Sequence, residues 1–338
     1  MKKRIKTKLF AVLAAVLTVA IALCGCGGNT GGNDTPAPDN NEKAKTLVSI
    51  AEDSEWLAAE VATVSQSGTG TIIAADDDGV TIATCYHLTG YDAAHVEFRF
   101  YGETAFVGGA GAVELVGYSE QFDLAVFKVK KPGFRRGKVE NADGLQKKGT
   151  EVIALGNAYG LGISAFEGVT SLSETVEKEE NYLKPMIRVT AAGNPGNSGA
   201  PIMTADGKLL GLVLGKRNDG EAMTYVLPIA IVTALYENAL GGTENGKIAY
   251  SAVKFTADEI TENNVTEKQI TVTVGTGDKA AKIKYADGEF IKTSATGNVK
   301  IDKVNGNDCP NNLIDFTAKL VEKSAVTLTA DGKTYEFS

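Results

Sequence analysis

Ser198 lies in the run Gly193-Asn194-Pro195-Gly196-Asn197-Ser198-Gly199-Ala200-Pro201, a tight glycine-lined turn that presents one hydroxyl among backbone N–H donors. A serine hydroxyl is a weak nucleophile until a base takes its proton, so this reading requires a histidine and a carboxylate to orient it. The chain holds only two histidines, His87 and His95, and both precede Ser198. An α/β-hydrolase runs nucleophile, acid, histidine, and that order is excluded for a His-based triad because no histidine follows the serine. The order histidine, aspartate, serine remains. Its chemistry is attack of an activated hydroxyl on an acyl carbonyl.

The base and its partner must be delivered by rigid elements. His87 stands at the exit of the apolar strand pattern Thr81-Ile82-Ala83-Thr84-Cys85-Tyr86-His87-Leu88, a position suited to a firmly held base. In Ala94-His95-Val96-Glu97-Phe98-Arg99-Phe100 the alternation groups His95 with Glu97 and Arg99 on a polar, solvated face. Asp123 opens Asp123-Leu124-Ala125-Val126-Phe127-Lys128-Val129, and a carboxylate just ahead of an apolar strand can be buried against an imidazole Nδ1. Asp76, Asp77 and Asp78 form a turn cluster with no such strand behind them and read as solvated. From Leu47 to Leu240 short strands alternate with Gly and Asp-Gly turns, the pattern of a barrel or sandwich. Two stretches read as helical: Ser54 to Val64 behind an Asp53/Ser54 cap, and Ile229 to Leu240 between Pro228 and Gly241-Gly242.

The 338 residues exceed one ordinary core, and 43% hydrophobic with 22% charged residues is a globular composition, so two folded domains are expected. Lys2, Lys3, Arg4, Lys6 and Lys8 precede an apolar run from Leu9 to Leu23, which reads as a secretory signal too short for a membrane span. Leu23-Cys24-Gly25-Cys26 resembles a bacterial lipoprotein box, with cleavage after Gly25 and lipid on Cys26; a plain cleaved signal is the alternative. Residues 26–46 are rich in Gly, Asn, Asp, Thr and Pro and read as a flexible tether. Loss of the five basic residues would take the net charge from −8 to −13, which disfavours nucleic acid as a partner. Cys85 and Cys309 read as buried thiols, with a bridge between them as the alternative. Two histidines and no dense Cys/His/carboxylate cluster argue against a zinc enzyme, and neither metal nor organic cofactor is expected.

From Ser67 to Leu240 these segments resemble, in order, the trypsin-like serine proteases and especially their HtrA/DegP-like branch. Ser67-Gly68-Thr69-Gly70 is similar to the family's opening glycine-rich strand, Thr84-Cys85-Tyr86-His87 to its Thr-x-x-His segment, and Phe122-Asp123-Leu124-Ala125-Val126 to its Thr-Asp-Leu-Ala-Val strand. Ala154 to Gly162 resembles its Ile-Gly-Asn-Pro-Phe-Gly loop, and Asn194-Pro195-Gly196-Asn197-Ser198-Gly199 its nucleophile motif. The resemblance implies an all-β chymotrypsin-like fold of two six-stranded antiparallel barrels over residues 47–244. It implies His87 as base then acid, Asp123 as its orienter, Ser198 as acylated nucleophile, and the Gly196 and Ser198 amides as oxyanion hole. Peptide bonds in proteins would be the substrate.

Two positions depart from the family pattern: Ala200 where a second glycine is usual, and Gly193 where HtrA-like members often carry a bulkier apolar residue. By analogy the specificity pocket is built from Ala192, Gly193, Leu214 and Gly215; with uncharged Ala192 at its base, small or medium apolar residues are expected before the scissile bond. Residues 250–338 alternate with strand period between turns such as Asp287-Gly288, Asn305-Gly306 and Asp331-Gly332, and read as a small, immunoglobulin-like β-sandwich. No Gly-Leu-Gly-Phe-type PDZ loop is visible there, so a spacer or a module for a cell-envelope partner is expected. The full expectation is an extracytoplasmic, lipid-anchored serine endopeptidase. A proteolytically silent binding protein on the same fold and a V8-like glutamyl endopeptidase are the alternatives.

Overall fold

The computed structural model describes residues 46–338 apart from 135–136, 138–139, 180, 218–221, 263–264 and 296. The expected signal peptide, tether and lipidated Cys26 lie outside the described residues. The first element is helix α1, Leu47–Ser54, started by a capping box in which Ser49 N donates to Thr46 Oγ1 and Thr46 N donates to Ser49 Oγ.

The helix expected from Ser54 to Val64 is not there: strand β1 occupies Ala58–Ala62. Alanine is the best helix former, but intrinsic propensity is a weak preference and tertiary pairing overrides it here. Ala59 pairs with Gly70 on one side and Phe100 on the other, and Ala58, Ala59 and Val61 are buried, so the segment must be a central strand. With β1 go β2 (Ser67–Ala75), β3 (Gly79–Thr84), β4 (Glu97–Phe100), β5 (Val113–Ser119) and β6 (Leu124–Lys130), in the order β5-β6-β3-β2-β1-β4. Two-residue strands extend both ends, which makes a nine-stranded sheet. Phe98 of β4 and Phe127 of β6 have ring centroids 5.8 Å apart although three strands separate them in the order. The sheet therefore curls over its own core.

The second sheet is a closed six-stranded antiparallel barrel of β7 (Glu151–Gly156), β8 (Ser164–Glu179), β9 (Tyr182–Val189), β10 (Pro201–Thr204), β11 (Leu209–Lys216) and β12 (Thr224–Pro228), in the order β9-β12-β11-β10-β7-β8. Residues 209–214 of β11 are all buried rather than alternating: the helix Ile229–Leu240 packs on the strand, and near its end the Cys85 thiol reaches the Val213 carbonyl at 3.3 Å. Helix α3 spans Ile229–Leu240, as its Pro and Gly boundaries predict.

The tail has two sheets. A meander of β13 (Val253–Glu262), β14 (Val265–Val274), β15 (Ala281–Ala286), β16 (Glu289–Ser294) and β17 (Gly297–Lys300) is followed by a four-stranded sheet holding β18 (Val326–Ala330) and β19 (Lys333–Phe337). The Asp287-Gly288, Asn305-Gly306 and Asp331-Gly332 turns all have positive φ at both residues, the conformation that hairpins of right-handed twist require. The strand order is a meander followed by a separate sheet, and helix α4 (Leu313–Val321) lies between strands of the second sheet. Asn312 caps α4 by accepting from Asp315 N, and Phe316 stacks on Phe290 of β16 at 3.7 Å. The helix also meets the barrel, where Asn238 of α3 donates to the Val321 carbonyl at 2.9 Å.

Candidate active site

His87 sits in the single helical turn α2, Tyr86–Thr89, which begins where β3 ends. Asp123 immediately precedes β6, the neighbour of β3, so strand pairing sets the histidine and the aspartate side by side. The junction is held twice by backbone amides: Tyr86 N donates to the Asp123 carbonyl at 3.1 Å and His87 N to Asp123 Oδ1 at 2.8 Å. The other carboxylate oxygen, Oδ2, lies 2.7 Å from His87 Nδ1. Asp123 is 3% exposed and has φ +52°, a left-handed conformation that Asp tolerates better than most residues. With Nδ1–H donating to the carboxylate, Nε2 is the acceptor, and Ser198 Oγ stands 3.2 Å from it. The hydroxyl has a second acceptor in the Leu214 carbonyl, also at 3.2 Å.

The turn that carries Ser198 is held by its carbonyls. Tyr159 N donates to the Pro195 carbonyl, Thr69 Oγ1 to Gly196, Thr69 N to Ser198 and Thr71 Oγ1 to Gly199, at 2.7 to 2.9 Å. All four acceptors are thus tied to neighbouring segments. Among the described residues the amides of Gly196 and Ser198 have no hydrogen-bond partner. Gly196 has φ +97°, and a Cβ there would stand 2.1 Å from the Asn157 carbonyl oxygen, so only glycine fits.

The expected specificity residues gather near this turn. Leu214 is buried, while Ala192, Gly193 and Gly215 are half-buried. A Cβ on Gly193 would meet Thr224 Oγ1 at 2.7 Å and Lys216 Cβ at 3.1 Å, which explains why no bulkier residue stands there. Ala200 is fully buried and its amide closes the turn onto the Asn197 carbonyl. His95 takes no part; it is exposed and pairs with Asp92 at 2.6 Å.

Several functional neighbours were not singled out from sequence. Thr69 ties the first sheet to the nucleophile turn, since its Oγ1 also accepts from Asn157 N at 2.9 Å and its carbonyl accepts from Thr84 Oγ1 at 2.7 Å. The Ser67-Gly68-Thr69-Gly70 motif marked the segment, but a contact across 127 positions has no local signal. Lys184 is fully buried and donates to Glu179 Oε2 at 2.5 Å, and Glu179 Oε1 lies 3.8 Å from where a Gly215 Cβ would be. Burial pushes the Glu179 carboxyl up, and the Lys184 ammonium opposes that.

Donor atoms of Cys85, His87 and Asp123 lie within 4.8 Å of one another. Their chemistry does not suit a cation. Burial holds the Cys85 thiol far above its ordinary range, so it stays protonated and donates to the Val213 carbonyl, while His87 Nδ1 is engaged by Asp123. Cys85 is free, as is Cys309, which is half-buried rather than buried and whose thiol burial pushes up to about 11.

A curled sheet carrying histidine and aspartate, docked on a closed six-stranded barrel carrying serine, defines the chymotrypsin-like two-barrel class. Residues 68–212 match the model of the trypsin-like peptidase domain, and the relatives of the chain include proteins named as DegP-like and HtrA-like serine proteases. It is 31% identical over 148 residues to a probable periplasmic serine endoprotease DegP-like of Marinomonas sp. (strain MWYL1), covering 44% of this chain and 29% of that protein. It is 25% identical over 250 residues to a serine protease HtrA-like of Staphylococcus aureus (strain USA300), covering 70% of this chain and 31% of that one. The chain thus spans less than a third of the length of these two relatives. A crystal structure of Rv3671c from M. tuberculosis H37Rv in an inactive form superposes with a TM-score of 0.49 at 18% identity, covering 62% of this chain and 97% of that one.

Proposed function

We propose that the protein is an extracytoplasmic, HtrA-like serine endopeptidase, tethered to the bacterial membrane through lipid on Cys26. The observation that carries the catalytic reading is the continuous relay from Asp123 Oδ2 through His87, 2.7 Å at Nδ1 and 3.2 Å at Nε2, to Ser198 Oγ. His87 Nε2 takes the hydroxyl proton as Ser198 Oγ bonds to the substrate carbonyl carbon. Asp123 stabilises the imidazolium so formed and keeps Nε2 facing the serine. Negative charge then grows on the carbonyl oxygen, where the Gly196 and Ser198 amides meet it. Collapse of the tetrahedral intermediate returns the proton from His87 to the leaving amine and leaves an acyl ester on Ser198. Water, deprotonated by His87, releases the acid and restores the serine.

The pocket formed by Ala192, Gly193, Leu214 and Gly215 takes a small or medium apolar side chain. The contacts that crowd Gly193 support a narrow pocket. The tail serves as a spacer or binds a cell-envelope partner, and nucleic acid is not a partner. Cleavage of a peptide library by the purified protein tests this reading. Cuts after Ala, Val or residues of similar size are expected. Dominant cuts after Glu, Lys or Arg would overturn the pocket assignment, and no cuts by a folded protein would overturn the enzymatic one.

A further inference from the structure

Asp123 has a left-handed backbone, and besides the Tyr86 and His87 amides its loop takes support from outside the two sheets. The loop Ser119 to Asp123 closes on itself through Phe122 N donating to Ser119 Oγ at 3.3 Å and Asp123 N to the Glu120 carbonyl at 3.1 Å. Ser119 Oγ is also 2.7 Å from the Tyr250 hydroxyl. Gln121 Nε2 donates to the Val253 carbonyl at 2.7 Å. The Tyr250 ring meets Phe122 edge on, with centroids 5.8 Å apart, and Phe122 is fully buried. Upstream, Tyr118 N donates to the Gly246 carbonyl at 2.9 Å.

Residues 246–253 therefore form a strap laid along the loop that ends in Asp123. The strap is anchored in the tail: the buried Ser251 donates to the Phe337 carbonyl at 2.7 Å, and Gly275 N donates to the Ala252 carbonyl at 2.7 Å. A cavity of about 450 Å³, lined by Glu120, Gln121, Tyr182, Lys247 and Tyr250 among others, opens between strap and loop. Beside this cavity the Tyr250 ring packs on Phe122, and the hydrogen bonds of Tyr250 and Gln121 tie the loop to the strap.

We infer that Tyr250 and Gln121 are positioning residues for Asp123, and that through them the C-terminal module holds the histidine-aspartate pair in its working geometry. The inference rests on the proposed hydrolytic reading and adds to it a role for the tail. Displacement of the strap, by truncation or by a partner pulling on the tail sheets, would release Asp123 without touching Ser198.

The test uses the full chain with Tyr250→Phe, which keeps the ring against Phe122, and Gln121→Leu, singly and together. Two readouts are taken: kcat and KM on a cleaved peptide, and the downfield proton resonance of the His87–Asp123 hydrogen bond, assigned by its loss in Asp123→Asn. The double variant is expected to lose about tenfold or more in kcat at unchanged KM, because small misplacements of catalytic groups are costly. Its downfield resonance is expected to shift or broaden while the thermal melt shows a folded protein. Wild-type kcat and an unchanged resonance in the double variant, with wild type active, would overturn this inference alone. A raised KM at constant kcat would also overturn it, by moving the strap into substrate binding. A wild type that neither cleaves peptides nor shows the resonance removes the reading underneath.

Discussion

The two halves of the site are held by different means. Ser198 sits on a turn whose backbone carbonyls are bound from several directions within the paired sheets, by Tyr159, Thr69 and Thr71. Asp123 sits on a loop whose outer supports, Tyr250 and Val253, belong to the segment leading into the tail. The Ser198 turn takes four ties, two from backbone amides and two from threonine hydroxyls. On the inference drawn above, displacing those outer supports would act on the Asp123 side and leave the Ser198 turn in place.

The largest effect that sharpens this contrast is expected from Asp123→Asn. The amide would keep the shape of the loop but reverse the hydrogen bond at His87 Nδ1, and kcat should fall about 10⁴-fold by peptide hydrolysis assay. A fall smaller than tenfold would mean that the carboxylate does not orient the ring. On the nucleophile side, Gly196→Ala meets both the positive φ and the Asn157 carbonyl at 2.1 Å. The peptide must rotate, withdrawing one donor from the oxyanion, and kcat should drop about 10²- to 10³-fold with little change in KM. Retained activity would remove the Gly196 amide from the mechanism.

Smaller effects test what holds the halves together. Thr69→Val removes the hydroxyl that bridges the Gly196 carbonyl and Asn157 N, leaving both without that partner, and should cost about 1–3 kcal/mol of stability by denaturant unfolding. The smallest is a pH effect at Glu179. Its carboxyl is raised by burial, so the folded protein binds that proton more tightly than the unfolded chain. The contribution to stability is full below the ordinary carboxylate range and is lost as pH rises through the raised value. Melting curves of wild type should show an extra fall in stability across that window which Glu179→Gln lacks. Parallel curves would contradict the assignment.

Much of the site was legible in the sequence because its chemistry is local. Gly196 and Ser198 announce their turn, two histidines leave little choice, and Asp123 stands directly before the buried strand that delivers it. The helix boundaries at Pro228 and Gly241 were legible for the same reason. What escaped was set by distant partners. The alanines of β1 look helical alone and become a strand because Thr71 and Phe100 flank them. Helix α4 carried a readable cap in Asn312 with Asp315 three residues on, but the alternating segments around it dominated. Thr69 and Tyr250 act across 127 and 131 positions, and no pattern within either segment reports such contacts.

The central claim is that His87 makes one hydroxyl, that of Ser198, a nucleophile. Intact-mass and peptide-mapping spectrometry after exposure to a fluorophosphonate tests it most directly. The account predicts a single phosphonyl adduct on the peptide containing Ser198, absent in Ser198→Ala and formed far more slowly in His87→Ala. No adduct on the folded wild type, or equal labelling of wild type and Ser198→Ala, would contradict it.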